Sequence, residues 1–323
     1  MITLPLKPTF EELVKQFTPL YKDYSLEKRF ADIVDSTATS LLAFQGQDSS
    51  DEVTALVGFL RADPEFLNIM LSLVNLSSEK FKRILSAERF ANKDFGTEWN
   101  LERIIRQIKR DDEYAVRIAK LFLEAQENKT LARQVADFYL AQIELPGEWQ
   151  NVIRDESVIK NLIRRKLTGK YSDAKGKAIE SLVRSKLEKI KEKYGITYEQ
   201  GQVALVQKEV DYAIPSCSQA FVMIMISYME TTSSSQTARA NEQNKMYQVI
   251  IGSNVRYPNQ ERALVNVVDG AGWLARRSDL RKLYSGCQHI LTLKMLNQIE
   301  YIITHYVPVK FFENEGKQGK SKK

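Results

Sequence analysis

Cysteine, histidine and proline are scarce in this chain of 323 residues, and the shortages remove whole classes of function. The two cysteines, Cys217 and Cys287, have no metal-ligand spacing and build no disulfide framework. Two histidines, His289 and His305, argue against a zinc site or a His-based triad. Long apolar runs are missing as well: the longest, AFVMIMI, has seven residues, too few for a bilayer span. The opening MITLPLKPTFEEL lacks the basic-then-apolar pattern of a secretion signal, so a cytoplasmic protein without a membrane partner is expected.

What is present suits an ordinary globular protein of about two domains, with 43% hydrophobic and 27% charged residues. The charge is unevenly placed. Between Lys160 and Lys193 stand twelve Lys/Arg and four acids, a local +8 in a chain of +6, so the remainder sums to −2. Such a block is either a solvated helix face or a footprint for phosphates, and Arg164, Arg165, Lys166 and Lys170 are its candidate DNA-binding residues.

Residues 1–150 read as a helical domain, for embracing DNA or for dimerisation. Thr9 precedes the acids Glu11 and Glu12 as an N-cap, and apolar residues recur at helical spacing near 28–45, 51–61, 64–74, 77–90, 100–110 and 112–127. Asp48-Ser49-Ser50-Asp51 and Ser77-Ser78-Glu79 supply caps between them. The boundary falls at ELPGEW, opening a second domain over 151–310. It begins with a short basic helix, SVIKNLIRRKL, a loop TGKYSD, and a long helix from about Ala174 to Tyr194. The period then changes to two: VALVQKEVDYAIP and AFVMIMISYM read as a hairpin joined by Pro-Ser-Cys-Ser. A helix over Gln236–Ile251, the buried strand RALVNVVDG, the helix SDLRKLYSG, the strand HILTL and the helix MLNQIEYIITHYV follow. The order predicts an α/β (α+β) fold, a mixed sheet flanked by helices, behind the helical domain. Residues 311–323 read as a basic polar tail.

The chemistry gathers around Asp211, an acid near the end of a strand among apolar neighbours. It is either a Mg²⁺ ligand or an exposed hairpin acid. Phosphodiester cleavage by a divalent cation needs a second carboxylate, and the paired strand offers none: its places are Met225 and Ser227. Glu230 in the turn and Glu242 on the next helix are within reach. Glu242 shares a face with Ala238, Met246 and Val249, which is expected to point to the sheet. Lys245, three residues on, supplies a cation, or forms a surface pair with Glu242. Glu180 borders the apolar stripe of its helix as a further ligand or as polar edge. Arg239 contacts phosphate or pairs with an acid. Asp269, in VVDGAGW, reads as architectural, with Gly270 and Gly272 making a tight turn.

Taken in order, GKAIESLVRSKL, EVDYAIP, the strand with its Ser-rich turn and TAR, and NVVDGAGW with SDLRK resemble the DpnII/MboI-like type II restriction endonucleases of the PD-(D/E)XK superfamily. The likeness covers roughly 170–300 and extends loosely into FLRADPEFLNIMLSLV. It implies a Mg²⁺-dependent, sequence-specific nuclease that hydrolyses double-stranded DNA as a homodimer, with a cognate DNA methyltransferase for self-protection. Asp211 falls on the family's first metal-binding Asp. The family's strand reads Glu-x-Asn where this chain has Met225 and Ser227, so the second acid does not carry over. Other members of the superfamily, the CCGG-type enzymes, keep a Ser on the strand and place the Glu on the following helix. That analogy favours Glu242, with Ser227 and Glu230 kept in the catalytic set. The rival expectation is a DNA-binding protein that has the nuclease fold without catalysis.

Overall fold

The structure, a computed structural model, describes residues 6–43, 51–91, 93 and 96–313. Helix α1 (Phe10–Gln16) starts at a capping box. The Glu12 amide donates to the Thr9 hydroxyl at 3.3 Å, and the Thr9 amide donates to the Glu12 carboxylate at 2.8 Å.

Residues from Tyr24 to Asp173 form one compact unit built of helices. It comprises α2 (Tyr24–Leu42), α3 (Glu52–Ala62), α4 (Phe66–Leu73), α5 (Ser78–Ala91), α6 (Leu101–Arg110), α7 (Asp112–Leu123), α8 (Asp137–Ile143), α9 (Trp149–Val152) and the start of α10 (Glu156–Tyr194). Short polar side chains set several of the starts: Asp51 accepts the Thr54 amide, Asn100 the Arg103 amide and Asp111 the Tyr114 amide. Asp48, Ser49 and Ser50, named above as caps, lie outside the described residues. Phe59, Phe66, Phe81, Phe122 and Trp149 fill the core of this unit.

The second unit comprises the residues up to Asp23 and those from Ala174 onward. The compact division therefore falls at 173/174 rather than at ELPGEW. The expected break at TGKYSD does not occur either: α10 runs unbroken for 39 residues. A glycine inside a helix costs about 1 kcal/mol against alanine, which packing overrides. Residues on both sides of Gly169 are committed to cores, Ile159, Leu162, Ile163 and Leu167 before it and Val183, Leu187 and Ile190 after it.

The sheet of this unit has five strands in the order β1 (Glu199–Val203), β2 (Lys208–Ile214), β3 (Val222–Tyr228), β4 (Ala263–Asp269) and β5 (His289–Leu291). Pairs β1–β2 and β2–β3 are antiparallel, while β3–β4 and β4–β5 are parallel, so the sheet is mixed as expected. The segment VALVQKEVDYAIP is not a single strand. It turns at residues 204–207, where Gln207 adopts φ +53° and donates to the Val203 carbonyl, leaving EQGQV as an edge strand. Helices α11 (Ser235–Arg256), α12 (Ala271–Ala275), α13 (Arg277–Ser285) and α14 (Gln298–Tyr306) complete the unit. Phe311 and Phe312 pack against its core, so the polar tail starts later than expected; residues 314–323 lie outside the described residues.

Every residue of β4 is buried, including the polar Asn266 and Asp269. Asp269 ends the strand with its carboxylate taking three backbone amides: Thr18 at 2.6 Å and Gly270 at 2.8 Å on Oδ1, and Leu293 at 2.9 Å on Oδ2. Gly270 has φ +102°, and a Cβ there would stand 2.2 Å from the Met229 carbonyl oxygen. This corner is architectural, because its acid is consumed by holding three chain segments together.

Candidate active site

The β2–β3 ladder holds from Ile214↔Val222 to Tyr212↔Ile224 and then stops. Asp211 and Met225 are the next residues outward. Here β2 separates from β3, and the Asp211 carboxylate takes the place of the ladder: its Oδ2 accepts the Ile226 amide at 2.6 Å. On its other side β3 continues in register with β4 as far as Tyr228↔Asp269. The separation thus occurs on one side of one strand, and an acid fills it.

Burial pushes the Asp211 carboxyl up from its ordinary value. The Ile226 amide pulls it back, the nearby Glu180 carboxylate pushes it further up, and the Arg239 guanidinium pulls it down. Asp211, Glu180 and Arg239, from β2, α10 and α11, therefore share one electrostatic neighbourhood. Glu180 is exposed beside the buried Ile179.

Ser227 carries no charge and is 2% exposed, yet it organises the far side of the site. Its Oγ accepts from Arg239 Nη1 at 2.9 Å and from Trp273 Nε1 at 3.2 Å. Trp273 is fully buried, seated by the close approach at Gly272, where a Cβ would lie 2.3 Å from the Thr231 carbonyl oxygen. Met225, two residues before Ser227, packs partly buried against the core.

The buried residues of α11 are Gln236, Ala240, Gln243, Met246, Ile250 and Ser253. Ala238 and Val249 are exposed, so the stripe is offset from the expected one, and Glu242 and Lys245 lie on the helix flank. Glu242 pairs there with Lys208 at 2.7 Å, each about half exposed. Lys208 precedes Asp211 by three residues on β2, and Glu242 follows Arg239 by three on α11. The pair therefore joins the same two elements that carry Asp211 and Arg239.

Glu230 is engaged elsewhere. Its Oε1 accepts from Lys175 Nζ and from the Tyr228 hydroxyl, both at 2.7 Å, and that hydroxyl also accepts the Tyr21 amide. The Lys175 side chain is only 8% exposed, so this is a largely buried pair. Sequence reasoning singled out neither Lys175 nor Lys208, and it reads Trp273 only as the cap of the tight DGAGW turn, without its bond to Ser227. A buried serine on a strand demands a donor or acceptor from outside its strand.

The basic candidates on α10 divide by environment, within the helical unit. Arg164, Arg165 and Lys170 are exposed. Lys166 is ion-paired with Glu65, and burial, then Lys170, push its ammonium down to about 8 while Asp63 opposes.

Among the described residues no group of three or more His, Cys, Asp and Glu side chains could hold a metal ion. Two carboxylates share this neighbourhood: Asp211, whose ionised form is disfavoured by burial, and Glu180, whose charge adds to that cost. Mg²⁺ characteristically takes one or two carboxylates and fills its remaining positions with water and substrate phosphate oxygens, so a two-carboxylate site suits it.

Compared with known proteins, residues 154–301 match the family model described as DpnII restriction endonuclease. The matched segment contains the five strands, α11 and every side chain of the Asp211 neighbourhood. No curated protein and no solved structure matches the chain. No helix among the described residues is long and apolar enough to cross a membrane.

Proposed function

We propose, with the DpnII restriction endonuclease match as premise, that this protein is a sequence-specific type II restriction endonuclease hydrolysing double-stranded DNA with Mg²⁺. The observation that carries the reading is Asp211 at the point where β2 leaves β3, with Glu180 and Arg239 acting on its charge. Asp211 and Glu180 would hold the cation. A divalent ion bound there supplies Lewis-acid charge to the phosphate and a more acidic water. The Ile226 amide orients the Asp211 carboxylate and leaves its other oxygen for a ligand, and Glu180, whose charge acts on Asp211, would approach the same ion from α10. Glu242 stands outside this pair, neutralised by Lys208. The exposed Arg164, Arg165 and Lys170 would meet backbone phosphates, which position DNA without reading it. A homodimer on a two-fold-symmetric DNA site and a companion methyltransferase complete the system.

A second reading, a DNA-binding protein without catalysis, is motivated by Met225 at the place opposite Asp211. Plasmid DNA incubated with the full chain decides between them. Discrete bands with Mg²⁺ and none with EDTA support the endonuclease, and tight, salt-sensitive binding without cutting supports the alternative. Asp211→Ala should abolish the bands, and Glu180→Gln should cost far more activity than Glu242→Gln. The reverse order would return the second acid to α11.

A further inference from the structure

Side chains two apart on a strand share a face, so Ser227 stands beside Met225 and one step further along β3 from Asp211. A cation there would reach a phosphate held at Asp211, but a serine has none to give. The structure fills the place from another element. Arg239, in the second turn of α11, lays Nη1 on the Ser227 hydroxyl at 2.9 Å, and its charge is felt by the Asp211 carboxyl. The indole N–H of the buried Trp273 holds the same hydroxyl, so the seat under the guanidinium is rigid.

Arg239 is also available. Among the described residues it forms no ion pair, and the residue is exposed. Glu242, one turn on, would be the natural partner, but Lys208 occupies it. The Lys208–Glu242 pair thus leaves the arginine for a ligand. Only one donor of the five on a guanidinium is used on Ser227, and the remaining fork has the planar geometry that matches a phosphate. Lys245 lies six residues further along α11, about 9 Å at the helical rise, on the exposed flank.

We propose that Arg239, seated on Ser227, is the catalytic cation that contacts the scissile phosphate beside Asp211, a role that strand β3 cannot supply. This rests on the endonuclease reading, and the test separates the two. Full-length protein and its Arg239→Ala, Arg239→Lys and Ser227→Ala variants are compared in single-turnover cutting of plasmid DNA with Mg²⁺. Their DNA binding is followed by fluorescence anisotropy in EDTA as a function of salt. Arg239→Ala should slow cutting by about 10²- to 10³-fold, the usual effect of removing one preorganised charge stabiliser. Added guanidinium at non-denaturing concentration should restore part of the rate. Arg239→Lys should fall between, keeping the charge and losing the fork, and Ser227→Ala should slow cutting while Arg239 is still present. The slope of log affinity against log salt should shrink by about one for Arg239→Ala.

Parental cutting by Arg239→Ala, or by Arg239→Lys should the alanine variant not fold, overturns the proposal. An unchanged salt slope overturns it independently. Failure of the parent protein to cut any DNA refutes the endonuclease reading instead, and the salt slope still decides whether Arg239 meets a phosphate.

Discussion

An aspartate buried at the end of β4 and a half-buried one where the β2–β3 ladder stops should respond to replacement with opposite changes in stability. Asp269 accepts three backbone amides from three chain segments. Asp269→Ala removes the acceptor and leaves those donors inside the protein. At no less than about 1 kcal/mol for each unsatisfied group, the loss is about 3 kcal/mol or more. In a unit of this size 1 kcal/mol moves the melting temperature by about 2–4 °C, so a fall of about 6–12 °C is expected. Burial raises both carboxyls, but the two differ in what opposes it: Asp269 has three amides, while Asp211 uses one oxygen on one amide, with Glu180 adding to the cost. A raised folded pKa means that the ionised form is disfavoured by the fold. The native state is therefore favoured below the unfolded pKa and loses that advantage as pH rises through the folded one. Asp211→Asn keeps an oxygen for Ile226 and removes the charge. Its melting temperature at neutral pH should equal or exceed that of the parent, with the gain vanishing as pH falls below the ordinary carboxylate range. Differential scanning calorimetry from acid to neutral pH, paired with the plasmid assay, measures both. The expected outcome is a dead but undiminished Asp211→Asn and a destabilised Asp269→Ala. An Asp211→Asn variant that melts as early as Asp269→Ala would refute the assignment of Asp211 as a site held at the expense of stability.

Gly270→Ala places a Cβ against the Met229 carbonyl at a left-handed φ, so urea denaturation should show a loss of about 2 kcal/mol or more. Glu230→Gln takes the carboxylate away from the buried Lys175, and a destabilisation of about 2–3 kcal/mol is expected from chemical unfolding. Lys208→Ala breaks only a half-exposed pair, so its stability should change by less than about 1 kcal/mol. Its cutting rate should nevertheless fall, because Glu242 is then free to capture Arg239.

The parts of the fold written as local pattern were legible in the sequence. AFVMIMI and ALVNVVD announce β3 and β4 because central strands, covered on both faces, are continuous apolar runs. The edge strand EQGQV hid because its mostly solvated side chains carry no period. Gly169 looked like a break because propensity is local, whereas the packing that overrides it comes from distant helices. Asp211 stood out as a carboxylate among apolar residues on a strand. The surroundings of Asp211 did not, since they are set by pairings across elements. Lys208 meets Glu242 over 34 positions, and Ser227 meets Arg239 and Trp273 only after α11 and α12 have docked. Reading α11 from Ala238 and Val249 put the buried stripe on the wrong side, because two glutamines, Gln236 and Gln243, take buried places that apolar periodicity would deny them.

Counting lone pairs at Ser227 gives a last consequence. A hydroxyl can accept twice and donate once, and here both acceptances are taken, by a guanidinium and by an indole. What remains is a single hydrogen to give. The oxygen therefore has no free pair with which to attack phosphorus or take a proton from water, so Ser227 is barred from acting as nucleophile or base. Alanine would leave two donors facing one another over an empty place, while threonine would keep the count and add only a methyl group. The residue at 227 is chosen for its valence as a hub rather than for its reactivity.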